Sequence, residues 1–315
     1  MGIAGSSNSG DLRPVVLAIA WVFAGISTSI VALRFYVRLV ILRKFKLDDY
    51  IILITLLFGL GNSVCLTISS YWGLGKHIQT IESDYMSIIY FGKWVYICEF
   101  FSIMCPGFGR ISFAFLLLDL TPPSKARRRF LWAIIFIQFV ADVGTVIIIF
   151  AQCKPIEGFW DKRIKATCWP ADTQVYAGYL QGSICAAVDL ALAIFPSSLF
   201  WSLNMHWKQK AFLSGIMGLG IFAMIASIMK TIYLREITAT SDQSYNMAML
   251  AIWWTLEANL VLIAVSIPTV RPILKAPATF SRDQSGHHNN LNTFLSWKQA
   301  HENRSGGSQG PFELL

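Results

Sequence analysis

Charged side chains are scarce in this sequence of 315 residues. Asp, Glu, Lys and Arg make up 14% of the chain and hydrophobic residues 55%, with a mean hydropathy of +0.53. Soluble domains carry about 25% charged residues. The scarcity excludes an ordinary soluble globular protein and predicts a chain whose long segments lie in lipid.

Motifs of several enzyme classes are missing as well. The sequence has no His-rich metal cluster, no nucleophile elbow and no phosphate-binding glycine loop. Two adjacent histidines, His287 and His288, stand without further ligands, so no metal site is predicted.

The net charge is +8, but the basic residues cluster beside the apolar runs. That pattern encodes membrane topology and argues against a nucleic-acid partner.

Seven apolar runs, separated by short polar connections, dominate the chain. The first, from Pro14 to Leu33, contains no charged residue, and a helix rising ~1.5 Å per residue then crosses the ~30 Å hydrocarbon layer. The predicted fold class is all-α, a bundle of seven transmembrane helices at 14–38, 49–72, 86–118, 130–151, 174–203, 211–234 and 246–268.

The organisation that follows has three parts. Residues 14–274 form the seven-helix transmembrane domain, between a short extracytoplasmic N-terminus at 1–13 and a cytosolic tail at 275–315 that is expected to be disordered. Orientation comes from the basic loops after helices one and three, which by the positive-inside rule face the cytosol. The fourth connection is basic too and argues weakly the other way. The protein is expected in the plasma membrane or an internal membrane.

The fourth connection also holds two cysteines, Cys153 and Cys168, whereas the other four lie within predicted helices. The two ends of this loop return to adjacent helix tips, and an oxidising compartment lets such a pair close a disulfide. We expect the bridge, with two unrelated thiols as the alternative.

Ionisable residues inside the predicted helices are the best candidates for function, since each costs ~2.5–3.5 kcal/mol on insertion scales. One interpretation is an interhelical network that fixes packing; the other is a ligand site, proton relay or acid/base pair in a central cavity. Asp189 and Glu257 lead the second interpretation. Lys93 and Lys230 are expected nearer the helix ends, where their ammonium groups snorkel to the surface. The full set, with two tryptophans that could line a cavity, is Lys93, Glu99, Arg110, Asp142, Asp189, Lys230, Trp253, Trp254 and Glu257.

Several local patterns, taken in order, resemble one family. Arg34-Phe-Tyr-Val-Arg38 and then Lys46-Leu-Asp48-Asp49-Tyr50 resemble the R-x-Y-x-R and D-D-Y signature of the fungal rhodopsin-like integral membrane proteins, the group with the Pth-type and satratoxin-cluster proteins. Further matches are Gly73-Leu-Gly75-Lys-His77, Gly109-Arg-Ile-Ser-Phe, Cys153-Lys-Pro155 with Trp160 and Cys168, and Asp189-Leu-Ala-Leu-Ala-Ile-Phe-Pro196. The resemblance covers roughly residues 15 to 275.

The resemblance implies a receptor-like or accessory membrane protein of a filamentous fungus, linked to secondary-metabolite biosynthesis. Such a protein would bind a small apolar metabolite between its helices and pass a change in packing to a cytosolic signalling or biosynthetic partner. Arg34, Arg38, Asp48 and Asp49, with Arg110, would form an inner-side network. The alternative for each arginine is contact with lipid headgroups.

Two other functions compete. A membrane-embedded cyclase or isomerase could act on a polyketide or terpenoid intermediate, with Asp189 or Glu257 as general acid. Transport is disfavoured, because no inverted repeat is visible and seven helices do not divide into two halves. No cofactor is expected. A retinal Schiff base needs a lysine amine, and helix seven has no lysine between Tyr245 and Pro268.

Overall fold

A computed structural model describes residues 12–43, 45–76, 85–120, 124–161, 163–200, 207–239, 244 and 246–270. Within these ranges it contains seven helices long and apolar enough to cross a membrane. They are α1 Arg13–Tyr36, α2 Leu47–Trp72, α3 Tyr85–Leu120, α4 Lys125–Ala151, α5 Ala171–Phe200, α6 Trp207–Ala239 and α7 Asn246–Val270. All seven predicted helices are confirmed, and α6 is the one that most exceeds its predicted span.

The parts predicted at the two ends of the chain lie largely outside the described residues. This holds for residues 1–11 and for the tail at 275–315, so the expected disorder of the tail stays a prediction. The direction in which the bundle crosses the membrane is likewise a prediction from the basic loops.

Local sequence explains where the first two helices begin and end. Pro14 occupies the first turn of α1, where its missing N–H costs no hydrogen bond. At the start of α2, the backbone N–H of Lys46 donates to Asp49 Oδ2 at 3.1 Å, and carboxylates favour the positive end of a helix dipole. The helix ends at Trp72, and Gly73 follows it with a φ of 127°, a backbone conformation that residues with a Cβ rarely adopt.

The helix α3 lies at the centre of the bundle. In the apolar stretch of α3, 78% of the residues are buried, against 22% in the apolar stretch of α6. Side chains of α3 such as Ile111 and Leu117 pack with Leu131 of α4, Leu192 of α5 and Val261 of α7 in the largest apolar cluster. Because other helices surround α3, a charged residue on this helix can lie away from lipid.

Contacts between loops define the two sides of the bundle. On one side, the N–H of Leu12 donates to the carbonyl of Gly75, and Ser244 Oγ donates to the carbonyl of Gly73. This side carries the α4–α5 connection, so we call it the hairpin side. On the other side Lys46 pairs with Asp119 at 2.8 Å. We call that the basic side, because the α1–α2 and α3–α4 connections lie there.

The α4–α5 connection contains a small antiparallel hairpin, β1 (Cys153–Lys154) and β2 (Thr167–Cys168). Cys153 lies opposite Cys168, and the two form a disulfide, which confirms the predicted bridge. Asp161 in the same connection accepts hydrogen bonds from Arg163, which lower the pKa of its carboxyl to about 2. Tyr85 Oη donates to Asp161 as well and joins the connection to the start of α3.

Candidate functional site

Arg110 of α3 is the centre of a buried ionic cluster in the middle of the bundle. Its Nε and Nη2 donate to the two carboxylate oxygens of Asp189 in α5, each at 2.8 Å. Nη2 also donates to Glu257 Oε1 of α7 at 2.6 Å. The Arg110 side chain is 1% exposed. A planar guanidinium suits this role because it can hold one carboxylate in bidentate geometry and reach a second.

Lys230 and Ser227 of α6 complete the cluster. Lys230 Nζ lies 3.0 Å from Glu257 Oε2, and Ser227 Oγ donates to Glu257 Oε1 at 2.9 Å. Two cations and two carboxylates give this mid-bundle cluster no net formal charge. Neutrality matters here, since removing one partner of a buried ion pair leaves an uncompensated charge. The cluster connects α3, α5, α6 and α7.

The position of Lys230 corrects a prediction. Its ammonium was expected to snorkel to the surface, yet Lys230 is 7% exposed and pairs with Glu257. Arg110 was also grouped with the inner-side network, whereas its hydrogen bonds go to Asp189 and Glu257. Lys93, in contrast, is exposed on α3, in agreement with the expectation for that residue.

Asp142 of α4 lies in a separate polar group. Gln138 Nε2 donates to its Oδ2 at 2.7 Å and Gln181 Nε2 of α5 donates to its Oδ1 at 3.3 Å. Within the described residues no cation lies at ion-pair distance from Asp142. A Cβ at Gly107 would collide with Asp142 Oδ2, so the absence of a side chain there lets α3 and α4 approach.

A cleft between five helices lies next to the mid-bundle cluster, toward the hairpin side. Its polar lining includes Glu99, Gln174, Gln181 and Lys230; its apolar lining includes Ile103, Ile149, Leu250 and Trp254. Glu99 accepts hydrogen bonds from Gln174 Nε2 at 3.3 and 3.4 Å. Trp254 is 6% exposed and faces the cleft, whereas the half-buried Trp253 is not part of its lining.

The cleft is narrow. Its volume is about 30 Å³, enough for roughly two water molecules at 10–15 Å³ each. Sites that hold drug-sized molecules have about 300–1,000 Å³. A metabolite can therefore enter only if side chains turn away or helices separate.

A second buried ionic cluster lies at the basic side. Arg34 of α1 donates to Asp48 and Asp49 of α2, and its Nη1 donates to the carbonyl of Val265 in α7 at 2.8 Å. Arg38, in a π-helical turn (Val37–Ile41) that continues α1, donates to Asp48 at 2.9 Å. The four predicted network residues thus meet. Contact of Arg34 and Arg38 with lipid headgroups does not match their exposures of 0% and 6%.

Sequence reasoning missed the uncharged members of these groups. Ser227 hydrogen-bonds both Asp189 and Glu257, and Gln138, Gln174 and Gln181 hold the carboxylates of Asp142 and Glu99. The sequence did contain a signal for the glutamines, because glutamine is unusual in apolar helices. Gln138 also precedes Asp142 by one helical turn, which places the two side chains next to each other.

The sequence of this chain matches a known protein family. The model of the fungal rhodopsin domain matches residues 33–276. The chain belongs to this family. The match spans every helix from the last turn of α1 onward and includes both ionic clusters, and it confirms the resemblance inferred from the motifs. No solved structure gives a significant match to the chain.

Among curated proteins, this fungal rhodopsin domain chain is similar to members of biosynthesis clusters. It is 28% identical over 270 residues to fugralins biosynthesis cluster protein 2 of Gibberella zeae, a match that covers 80% of this chain and 63% of that protein. The chain therefore spans less than two thirds of this relative's length.

Two further relatives are more distant. Wortmanamides biosynthesis cluster protein C of Talaromyces wortmannii is 22% identical over 84% of this chain and 72% of its own length. Polyenoic acids biosynthesis gene cluster protein Ba17b of Metarhizium anisopliae is 22% identical over 81% of this chain and 72% of its own length. The names of all three relatives refer to biosynthesis clusters of fungi.

The family name raises the question of retinal, and the residues of the bundle do not fit it. A Schiff base needs an available lysine amine. The helix α7 contains no lysine, and the ammonium of the buried Lys230 in α6 is paired with Glu257.

Proposed function

We propose that this chain is a receptor-like or accessory multi-pass membrane protein of a fungal secondary-metabolite pathway, and that it binds a small, mainly apolar metabolite in the five-helix cleft. One observation carries the proposal: a buried, neutral cluster of four charges joins α3, α5, α6 and α7 directly beside that cleft. The names of three relatives support the link to biosynthesis. The membrane is the plasma membrane or an internal one, and no cofactor takes part.

The lining of the cleft indicates the chemistry of the ligand. Ile103, Ile149, Leu250 and Trp254 offer an apolar wall for a hydrocarbon skeleton. Glu99 and the glutamines offer carboxylate and amide groups that can hydrogen-bond a hydroxyl or carbonyl. The ligand class is therefore an apolar metabolite with at least one oxygen function.

Because the cleft is too narrow for such a ligand, binding must change how the helices pack. Among the described apolar stretches of the seven helices, that of α6 is the least buried, and the Lys230–Glu257 pair connects α6 to α7. A ligand that displaces Lys230 from Glu257 would free α6 to move, and this would carry the signal to the basic side. Such a ligand shifts the equilibrium only if it binds the open form more tightly than the closed one.

The test is a deletion strain compared with its parent, with metabolites and transcripts of neighbouring genes measured in the same cultures. The proposal expects the whole pathway and its transcripts to fall or rise together. If one product disappears, a defined precursor accumulates and transcripts stay unchanged, the protein is an enzyme or an obligate partner of one, and the receptor proposal fails.

An enzyme is the second candidate, and Glu99 favours it more than the residues expected from sequence. Asp189 and Glu257 accept hydrogen bonds from cations, and a carboxylate in that state has no proton to donate. Glu99 faces the cleft and is hydrogen-bonded by an amide. A cyclase or isomerase would then lose turnover in Glu99→Gln while folding normally. Full product formation by this variant would exclude Glu99 as the acid.

A further inference from the structure

A groove separate from the cleft opens on the basic side. It lies between the start of α2, the end of α3 and the start of α4, and its volume is about 660 Å³. Lys46, Asp119, Arg127, Arg128 and Trp132 are among its lining residues. We call it the basic groove.

The basic groove has uncompensated positive charge. Lys46 pairs with Asp119 at 2.8 Å, and Asp48, which also lines the groove, pairs with Arg34 and Arg38. Arg127 and Arg128 make no ion pair with any acidic side chain among the described residues. Two guanidinium groups are therefore left for an anion, and guanidinium is the group best matched to phosphate oxygens.

Aromatic and apolar side chains line the basic groove as well. Trp132 is 47% exposed, and its ring meets that of Phe115 edge-on at 5.7 Å between centroids. Trp132 follows Arg128 by one helical turn, so both side chains lie on the same face of α4. Tryptophan is typical of the headgroup level of a membrane. A ligand that fits both the arginines and this apolar lining has a phosphate at one end and a hydrocarbon chain at the other.

Charge complementarity argues against the chain's own tail as the occupant. Residues 271–315 contain five Lys and Arg (Arg271, Lys275, Arg282, Lys298, Arg304) and three acids (Asp283, Glu302, Glu313), which leaves a net charge of +2. A basic segment does not complement two unpaired arginines. We infer that the basic groove binds the phosphate-bearing headgroup of an anionic phospholipid, with Arg127 and Arg128 on the phosphate and Trp132 and Phe115 along the acyl chain. This inference does not depend on the metabolite proposal.

The test titrates the purified full-length protein in detergent with phosphatidylinositol 4-phosphate and counts bound lipid by native mass spectrometry. The Arg127→Gln/Arg128→Gln double variant is expected to bind the lipid roughly 30-fold more weakly, at about fivefold for each basic residue near an anionic surface. The matched control is Lys125→Gln/Arg129→Gln, which removes the same charge from the same helix turn. These two side chains are exposed but do not line the groove, and the control should bind within about threefold of the wild type.

Two further ligands identify the source of the phosphate. The soluble headgroup, glycerophosphoinositol 4-phosphate, should bind at least about tenfold more weakly than the lipid, because it lacks the acyl chain. Phosphatidylcholine should not bind at the same concentration. Equal affinity for headgroup and lipid would overturn the inference in favour of a free phosphate ligand. Equal losses of lipid affinity in the two double variants would overturn the inference too. No loss of affinity in either variant would also overturn it, and would favour a protein partner for the groove.

Discussion

The mid-bundle cluster and the cluster at the basic side contain the same charges: two cations and two carboxylates, all buried. They differ in what they join. At the basic side the bonded partners lie 10 to 15 residues apart in sequence, on two consecutive helices. In the mid-bundle cluster, Arg110 is 79 and 147 residues away from its partners.

Their surroundings differ as well. Arg34 bonds the carbonyl of Val265, and Ser112 of α3 donates to the carbonyl of Asp48, so the basic-side cluster is tied to backbone atoms that cannot turn away. The mid-bundle cluster consists of side chains, and Lys230 faces the cleft. The comparison indicates that the first cluster fixes the architecture, whereas the second can rearrange when the cleft is filled.

The largest effect is expected for Arg110→Met. This change leaves Asp189 buried without its cation, and breaking a buried ion pair costs about 3–5 kcal/mol. The midpoint of thermal unfolding in detergent should fall strongly, or folded protein should be lost in size-exclusion chromatography. Lys93→Met, on the exposed face of the same helix, is the control and should leave stability unchanged. An Arg110 variant as stable as this control would show that the ion pairs do not support the fold.

A smaller loss is expected for Arg34→Met in the basic-side cluster. Arg38 remains within reach of both aspartates, so the loss is that of charged hydrogen bonds, about 1.5–3 kcal/mol. The same thermal measurement applies. If Arg34→Met destabilised the protein more than Arg110→Met, the ranking of the two clusters would be reversed.

Lys230→Met is expected to affect function more than stability. Glu257 keeps its bond to Arg110, so the loss of stability should be that of one charged contact, about 1.5–3 kcal/mol. Complementation of a deletion strain should nevertheless fail, since the ion pair between Lys230 of α6 and Glu257 of α7 is lost. Normal complementation by a folded Lys230→Met protein would argue against a signalling role for this pair.

The smallest effect is expected for Asp142→Asn. The carboxylate is bonded by two amides rather than by a cation, and an asparagine oxygen can still accept one of these bonds. The change in unfolding free energy should stay below about 1 kcal/mol. A loss comparable to that of Arg110→Met would mean that Asp142 belongs to the mid-bundle cluster electrostatically.

The helix spans, the disulfide and the family could be predicted from the sequence, because each depends on local composition or on an ordered set of motifs. It also singled out both sets of charged residues. It could not pair them, since hydropathy carries no information on which helix faces meet. The error on Lys230 has a specific cause. The predicted helix ended at residue 234, whereas α6 continues to Ala239, which places Lys230 more than two turns from the end.

Arg110 was misassigned for a related reason. A position ten residues before the end of α3 lies roughly 15 Å inside the helix at 1.5 Å per residue, too far to reach the basic side. The glutamines and Ser227 were missed because uncharged polar residues lower the hydropathy of a run only slightly, although they complete the mid-bundle cluster and the polar groups around Asp142 and Glu99.

The central claim is that the cleft beside the mid-bundle cluster is the functional site. Its most direct test is complementation of a deletion strain by Trp254→Leu and Trp253→Leu, expressed at matched levels of folded protein. The two substitutions are identical and adjacent, but only Trp254 lines the cleft. The account predicts that Trp253→Leu restores the metabolite profile and Trp254→Leu does not. Full restoration by Trp254→Leu, or equal failure of both, would contradict it.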